Sequence, residues 1–265
     1  MLYDGSMPAK LTKTLRLHPV AQAVIDSYLN LRLGGKRVVA PYFMNTPGRK
    51  GRRVAVGKGT PKELERETAR LAKKHKFDLK AASPDEIRDF MIGHKLGIDC
   101  SGLVAWLTHE LTRQQERGPL WRHIRYQGHP LRVAIIRHIR PVENLSARLL
   151  TDTVNAHTIQ ALSEVRPGDI IRSLNGNHVL LVTEVGYKNG IPAHFKYVNS
   201  TEYGGVKYGV RYGRINIVKP DEHILEQTWV DGENGVNWIF NAANNFPNDT
   251  RIVRLKALAT RRNNP

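Results

Sequence analysis

The sequence predicts an α+β domain in which an antiparallel sheet packs against helices. Apolar residues recur at helical spacing through the first half, and two helix-start signatures lie among them. Beyond Pro167-Gly168 the period shortens to that of strands. Helices first and a run of strands afterwards define the class.

In chain order, His18 to Leu33 carries Val20, Val24, Ile25, Tyr28, Leu29 and Leu31 at helical spacing, ended by Gly34-Gly35. Val38 to Met44 is short, apolar and interrupted by Pro41, and residues 46–59 read as a Gly- and Arg-rich loop. Thr60-Pro61-Lys62-Glu63 is a capping box that opens a charged helix to about His75. Ser83-Pro84-Asp85-Glu86 repeats it and starts a helix to about His94. After Asp99-Cys100-Ser101-Gly102, Leu103, Trp106, Leu107, Glu110 and Leu111 continue at helical spacing. Residues 118–164 give weaker signals, one or two helices with irregular connections. Strands are expected over Ile170 to Arg172, His178 to Val185, Phe195 to Thr201, Lys207 to Val218 and Arg251 to Leu255, and a loop over Asn241 to Asn248. No internal repeat is visible, so residues 1–265 read as a single domain.

Composition narrows the function classes. The chain has 265 residues, with 41 Lys and Arg against 24 Asp and Glu, a formal charge of +17. A hydrophobic content of 40 % excludes a wholly disordered chain. No stretch approaches the roughly 18 apolar residues of a membrane span. A single Cys excludes an internal disulfide and any multi-Cys metal site. Met1 to Leu17 is basic but lacks the apolar centre of a secretory signal, so the cytoplasm is the default location and the envelope requires another export route.

A pI near 10.2 favours polyanionic partners: nucleic acid, an anionic membrane surface or acidic cell-wall polymers. The densest stretch is Arg49-Lys50-Gly51-Arg52-Arg53, followed by Lys58. A second runs through Arg113, Arg117, Arg122, Arg125, Arg132, Arg137 and Arg140, interleaved with Trp121 and Tyr126. Basic residues mixed with aromatics suit a nucleic-acid strand. The plainer reading is a solvated helical face.

Taken alone, Cys100 is a small buried hydrophobe. Its position where a helical pattern begins gives it a second reading, because free N–H groups and the helix dipole stabilise thiolate there. Those N–H groups suit an oxyanion too, and Gly102 keeps the first turn slim for a substrate backbone. His178 is the best general base of the eleven histidines. It opens the apolar strand Val179-Leu180-Leu181-Val182 after the turn Asn175-Gly176-Asn177. A hairpin loop centred between residues 188 and 189 sets Asn199 opposite His178, where its amide oxygen would accept the imidazole N–H. His194, about 17 Å along the strand, is the second choice for this role. His123, His129 and His138 lack metal-ligand spacing and read as surface or structural. Glu184 lies too far from His178 for direct contact, and Trp229 and Trp238 read as core or cleft wall.

Gly97-Ile98-Asp99-Cys100-Ser101-Gly102-Leu103-Val104 resembles the nucleophile motif of the NlpC/p-sixty cysteine peptidases, papain-like enzymes that cleave amide bonds in bacterial cell-wall peptides. Val165-Arg166-Pro167-Gly168-Asp169-Ile170-Ile171, continuing to His178-Val179-Leu180-Leu181-Val182, is similar to the family's histidine segment. Tyr197-Val198-Asn199-Ser200-Thr201 falls where the family places a third polar residue, and Pro41-Tyr42 resembles its Pro-Tyr. The resemblance implies a papain-like fold with Cys100 as nucleophile at a helix N-terminus, His178 as base, Asn199 as orienter, and Tyr42, Asp99 and Ser101 as supporting residues, with no metal or organic cofactor. It covers about half the chain. Phe43-Met44-Asn45 departs from the family's usual Trp-Gly-Gly, and the 58 residues from Tyr42 to Cys100 and 78 from Cys100 to His178 are long. Residues 46–93 and 113–160 therefore read as insertions that shape the cleft or bind an anionic polymer.

The expected function is a cysteine-dependent amide hydrolase working through an acyl-thioester, on peptidoglycan stem peptides by resemblance alone. The alternatives are an acyltransferase with the same site and a non-catalytic, basic polyanion-binding protein.

Overall fold

The computed structural model describes residues 12–44, 53–126, 128–202, 209–230 and 237–259. A short strand, β1 (Lys13–Arg16), leads into α1 (Pro19–Leu29), with Pro19 at the first helical position. The helix expected to reach Leu33 stops at Leu29. Leu31–Leu33 is instead β2 and pairs with β3 (Lys36–Val38) around Gly34 and Gly35. Both glycines have positive φ, +57° and +81°, as a type I′ hairpin requires. Leu31 and Leu33 are buried on either side of exposed Arg32, an alternation that the helical reading absorbed.

The two capping boxes start α2 (Pro61–His75) and α3 (Pro84–Gly93) where expected, each closed in both directions. The Glu63 N–H donates to Thr60 Oγ1 while the Glu63 carboxylate accepts from the Thr60 N–H; Ser83 and Glu86 repeat the pair. α4 (Cys100–Gln114) follows. The weak stretch holds α5 (Pro130–Ile139), one-turn α6 (Ala147–Leu150) and the short strand β4 (Ala156–Thr158). The expected loop at 46–59 lies partly outside the described residues, and its end, Arg53–Val56, is a 3-10 turn.

The remaining strands are β5 (Ile170–Ser173), β6 (His178–Lys188), β7 (Ile191–Thr201), β8 (Gly209–Asn216), β9 (Thr228–Val230) and β10 (Arg251–Leu255). They form one sheet in the order β4-β10-β5-β6-β7-β8-β9, with β1 alongside the far half of β6. Every ladder among the described residues is antiparallel. The class is α+β, as expected. Strands β1, β4 and β9, three or four residues long, are too short to show a period. Residues 207 and 208 of the expected fourth strand lie outside the described residues. The Asn-rich loop is corrected: α7 (Trp238–Asn244) occupies its first half, capped by Asn237 Oδ1 accepting from the Phe240 N–H. Ile239 and Ala243 bury one face of it.

Strand alternation divides the core in two. Val179, Leu181 and Val198 face α4 and α1, meeting Leu103, Leu107, Ile25 and Tyr28. Leu180, Val182, Phe195 and Tyr197 face the other way, under Trp229, Ile224 and Ile239. Leu64, Ile87 and Met91 carry α2 and α3 into the first core. Trp229 is a core residue, as expected.

The turn into β5 is locked by Asp169. Its buried carboxylate accepts Arg254 Nε at 2.7 Å and Nη2 at 2.8 Å, and the Arg166 N–H at 2.8 Å. Arg254→Met leaves that carboxylate unpaired and is expected to cost about 3 kcal/mol, read as a lower urea midpoint at unchanged slope.

Candidate active site

Irregular main chain from three places builds the platform for Cys100. The Ile98 N–H donates to Pro41 O at 3.0 Å, and the Asp99 N–H donates to Gly57 O at 2.9 Å. Close approach depends on glycine: a Cβ on Gly97 would lie 2.4 Å from Pro41 O, and one on Gly57 (φ +72°) would lie 2.2 Å from Phe43 O. Tyr42 and Ile98 form a bridge, which carries Tyr42 to the Cys100 cleft across the long intervening segment. Gly102 has a different reason from the expected one. A Cβ there would meet Gly57 O at 2.6 Å and Lys58 Cδ at 3.0 Å, so the slim turn admits this chain's own backbone.

Asp99 caps α4, and its Oδ1 accepts from the Gly102 N–H at 2.5 Å. The same oxygen receives Ser101 Oγ at 3.1 Å and Lys58 Nζ at 2.8 Å. Lys58 is only 5 % exposed, and its ammonium also donates to Ser101 Oγ at 2.5 Å and Leu145 O at 3.0 Å. All three ammonium protons thus have acceptors. Sequence reasoning placed Lys58 with the basic loop and missed it; the available signal was its isolation between Val54-Ala55-Val56-Gly57 and Gly59-Thr60. Asp99 and Ser101 are where the resemblance puts supporting residues, and both act by fixing the helix tip.

Cys100 is the first residue of α4, 5 % exposed, on the wall of a cleft of about 530 Å³ shared with Tyr42, Lys58, Leu145, Arg148 and Asn177. Burial, and next the Asp99 carboxylate, push the thiol up to about 12, while Lys58 and the N–H groups of Val179 and Ser101 pull the other way. The helix tip does not by itself yield a resting thiolate.

His178 follows a turn with three consecutive left-handed residues, Leu174 (φ +54°), Asn175 (+52°) and Gly176 (+72°). Such a conformation costs a leucine about 1–3 kcal/mol and needs surrounding support. Arg172, in the strand before the turn, is itself fixed by Asp249 and Thr151 Oγ1. The β6–β7 ladder ends at Leu181↔Val198. Where the two strands part, the tip of α4 enters. Cys100 Sγ lies 3.8 Å from Asn177 O and takes the Val179 N–H, so it touches main chain on both sides of His178. Ser200 Oγ donates to Ile98 O at 2.7 Å from the β7 side.

By alternation His178 belongs with Leu180 and Val182, and Asn199 with Tyr197, on the face of the sheet away from α4. No hydrogen bond joins Cys100, His178 and Asn199. His178 Nε2 and both amide atoms of Asn199 are buried without partners. Burial alone pushes the imidazole down to about 4. Ser173, paired in register with His178 across β5 and β6, has a buried Oγ in the same condition. That neighbour was also missed, because the β5–β6 register was not worked out.

The expected pairing of Asn199 with His178 is corrected. The β6–β7 turn is Asn189-Gly190, between Lys188 and Ile191, with φ of +51° and +81°. This type I′ turn lies one residue beyond the expected centre, so the register shifts by two. Asn199 then falls one step past Val198, toward Leu180 and beyond the end of the ladder, so it is not paired with His178. His194 is out of range: it sits opposite Gly186 and bonds Glu184 Oε1 at 3.0 Å. Glu184, also bound by Arg16 and Lys196, is held at about 2 against the effect of burial. His123 and His138 are exposed and bonded to main-chain carbonyls.

A larger hollow, about 830 Å³, lies beside residues 158–163 and 220–224. Its one histidine, His223, is tied to Thr250 O and the Leu225 N–H, and no cysteine lines it. Among the described residues no cluster of His, Cys, Asp or Glu is arranged for a metal, and no helix is long and apolar enough to cross a membrane. No known family model, curated protein or solved structure matches the chain.

Asp99→Asn retains the cap and removes the negative charge beside the sulfur. Because Asp99 raises the thiol, the iodoacetamide alkylation profile of Cys100 is expected to move to lower pH; an unmoved profile would show that burial alone sets it.

Proposed function

We propose that the protein is a thiol-dependent amide hydrolase of papain-like architecture, similar to the NlpC/p-sixty peptidases, acting on peptidoglycan stem peptides in the cell envelope. One observation carries the reading. The single cysteine heads a helix on a cleft wall, its sulfur against the main chain on both sides of His178, while His178 and Asn199 on adjoining strands hold buried polar atoms without partners. An unmade buried hydrogen bond costs about 1–3 kcal/mol, so such a pair calls for a functional account.

The resting pair is neutral, thiol and imidazole, and the reading starts from there. As the substrate carbonyl enters the cleft, His178 swings from the far face of the sheet, around the parted end of the β6–β7 ladder, to Sγ and takes its proton. Sulfur then attacks the carbonyl carbon, and the Cys100 N–H faces the oxyanion. Collapse breaks the C–N bond, and the imidazolium gives its proton to the departing amine. Water, deprotonated by the same ring, attacks the thioester and frees the acid and the thiol. Asn199, the orienter by resemblance, and the hydroxyl of Ser173 line the face from which the ring turns. Tyr42 lines the substrate side of the cleft.

Burial favours the neutral, base-competent ring. Activity is therefore expected to be lost as pH falls through about 4 and to be level across neutrality. Digestion of muropeptides with chromatography of the products tests the reaction itself. Cleavage by the wild type, none by Cys100→Ala, and a loss of about a thousandfold in His178→Ala are expected.

A second reading is favoured by the depth of the thiol, since buried thiols of raised pKa are inert. The same scaffold is then a non-catalytic, basic polyanion binder. It predicts intact muropeptides and salt-dependent polyanion binding that survives Cys100→Ala.

A further inference from the structure

Helix α5 leaves its apolar residues in solvent. Leu131, Ile135 and Ile139 recur every fourth residue and so share one face. They are 67 %, 51 % and 70 % exposed, among the most exposed large aliphatic residues described. A core-facing helix buries such a stripe, and scattered exposed apolar residues would not align on one face.

The sequence around the stripe is strongly basic, although Arg140 at its end pairs with Glu143. From Arg117 to Val142 the sequence has six arginines and three histidines and no Asp or Glu. Two contacts hold the preceding segment against the helix: Arg137 donates to Ile124 O at 3.0 Å, and Tyr126 Oη donates to Pro141 O at 3.2 Å. Arg137 lies on the side of α5 opposite the stripe, so this segment, with exposed Arg125, packs behind the apolar face. An aliphatic face on a strongly basic stretch of sequence suits a surface that is anionic at the headgroups and apolar just beneath. Nucleic acid would use the charge and leave the three aliphatic side chains wet. A second copy of this chain would bring its own +17 against the first.

We propose that α5, with the arginines beside it, docks the protein on an anionic lipid bilayer, its Leu131, Ile135 and Ile139 side chains entering the interface. This docking is independent of the chemistry at Cys100. Residues 143–148, which follow α5 after a short connection, wall the cleft, so docking would bring the cleft near the surface.

Co-sedimentation with vesicles tests it, using full-length protein and two compositions, phosphatidylcholine alone and phosphatidylcholine mixed with phosphatidylglycerol. Binding to the mixed vesicles only is expected, weakened at least about tenfold when salt rises from about 0.1 M to about 1 M. A triple variant, Leu131→Gln, Ile135→Gln and Ile139→Gln, keeps every charge and is expected to bind the mixed vesicles about tenfold more weakly at unchanged Tm. Equal binding by the folded triple variant would mean charge alone acts and would overturn the proposal. So would wild-type protein left in the supernatant, a measurement that needs no variant. Concentration-dependent dimers abolished in the variant, with no vesicle binding, would assign the stripe to a second copy. Tight duplex-RNA binding unchanged in the variant, again without vesicle binding, would assign the basic surface to nucleic acid.

Discussion

The buried ammonium of Lys58 ties together three separate parts of the chain. It bonds the cap of α4 through Asp99, the first turn through Ser101, and the segment before α6 through Leu145. The backbone around it is held as firmly: Trp106 Nε1 donates to Lys58 O at 2.9 Å and Tyr28 Oη to Gly59 O at 2.8 Å. A desolvated charge persists only when its attraction and hydrogen bonds offset the loss of water. Here both partners are buried, Lys58 donates all three of its protons and Asp99 Oδ1 accepts three, which fixes the helix tip. The position of Cys100 follows from that pair, and the Asp99 charge adds to burial in keeping the proton on the thiol.

The sheet supplies the other half of the geometry. β6 and β7 run paired for most of their length and separate at one end, and α4 enters the opening. Main-chain groups beside His178 meet a thiol in place of a β7 ladder partner. On one face of the same sheet Ser173, His178 and Asn199 hold buried side-chain atoms without partners. A continuous ladder would have closed that gap with hydrogen bonds and left no room for sulfur.

Much of this was legible in the residues. Capping boxes at Thr60 and Ser83 marked two helices within a residue or so, because caps are local and a few residues specify them. The strand run after Pro167-Gly168 was legible for the same reason, since long strands display a period. The Leu31-to-Leu33 strand was hidden because three residues satisfy both periods, and α7 was hidden by asparagines whose helical role is to cap. The site divided in the same way. Cys100 at a helix start and His178 at a strand start were local facts, and the structure places both there. Asn199 depended on counting across a hairpin, and one residue in the turn centre moved it by two. Lys58 depended on a contact across 41 positions, which no local pattern announces.

Thiol catalysis requires Cys100 Sγ to form and break a bond to the substrate carbonyl carbon. Intact-protein mass spectrometry during reaction with an activated peptide ester reads this directly. A single acyl adduct on Cys100 that decays on incubation in buffer, and that forms far more slowly when His178 is replaced, is the predicted result. A protein whose mass never changes, although the ester reaches the cleft, would contradict it.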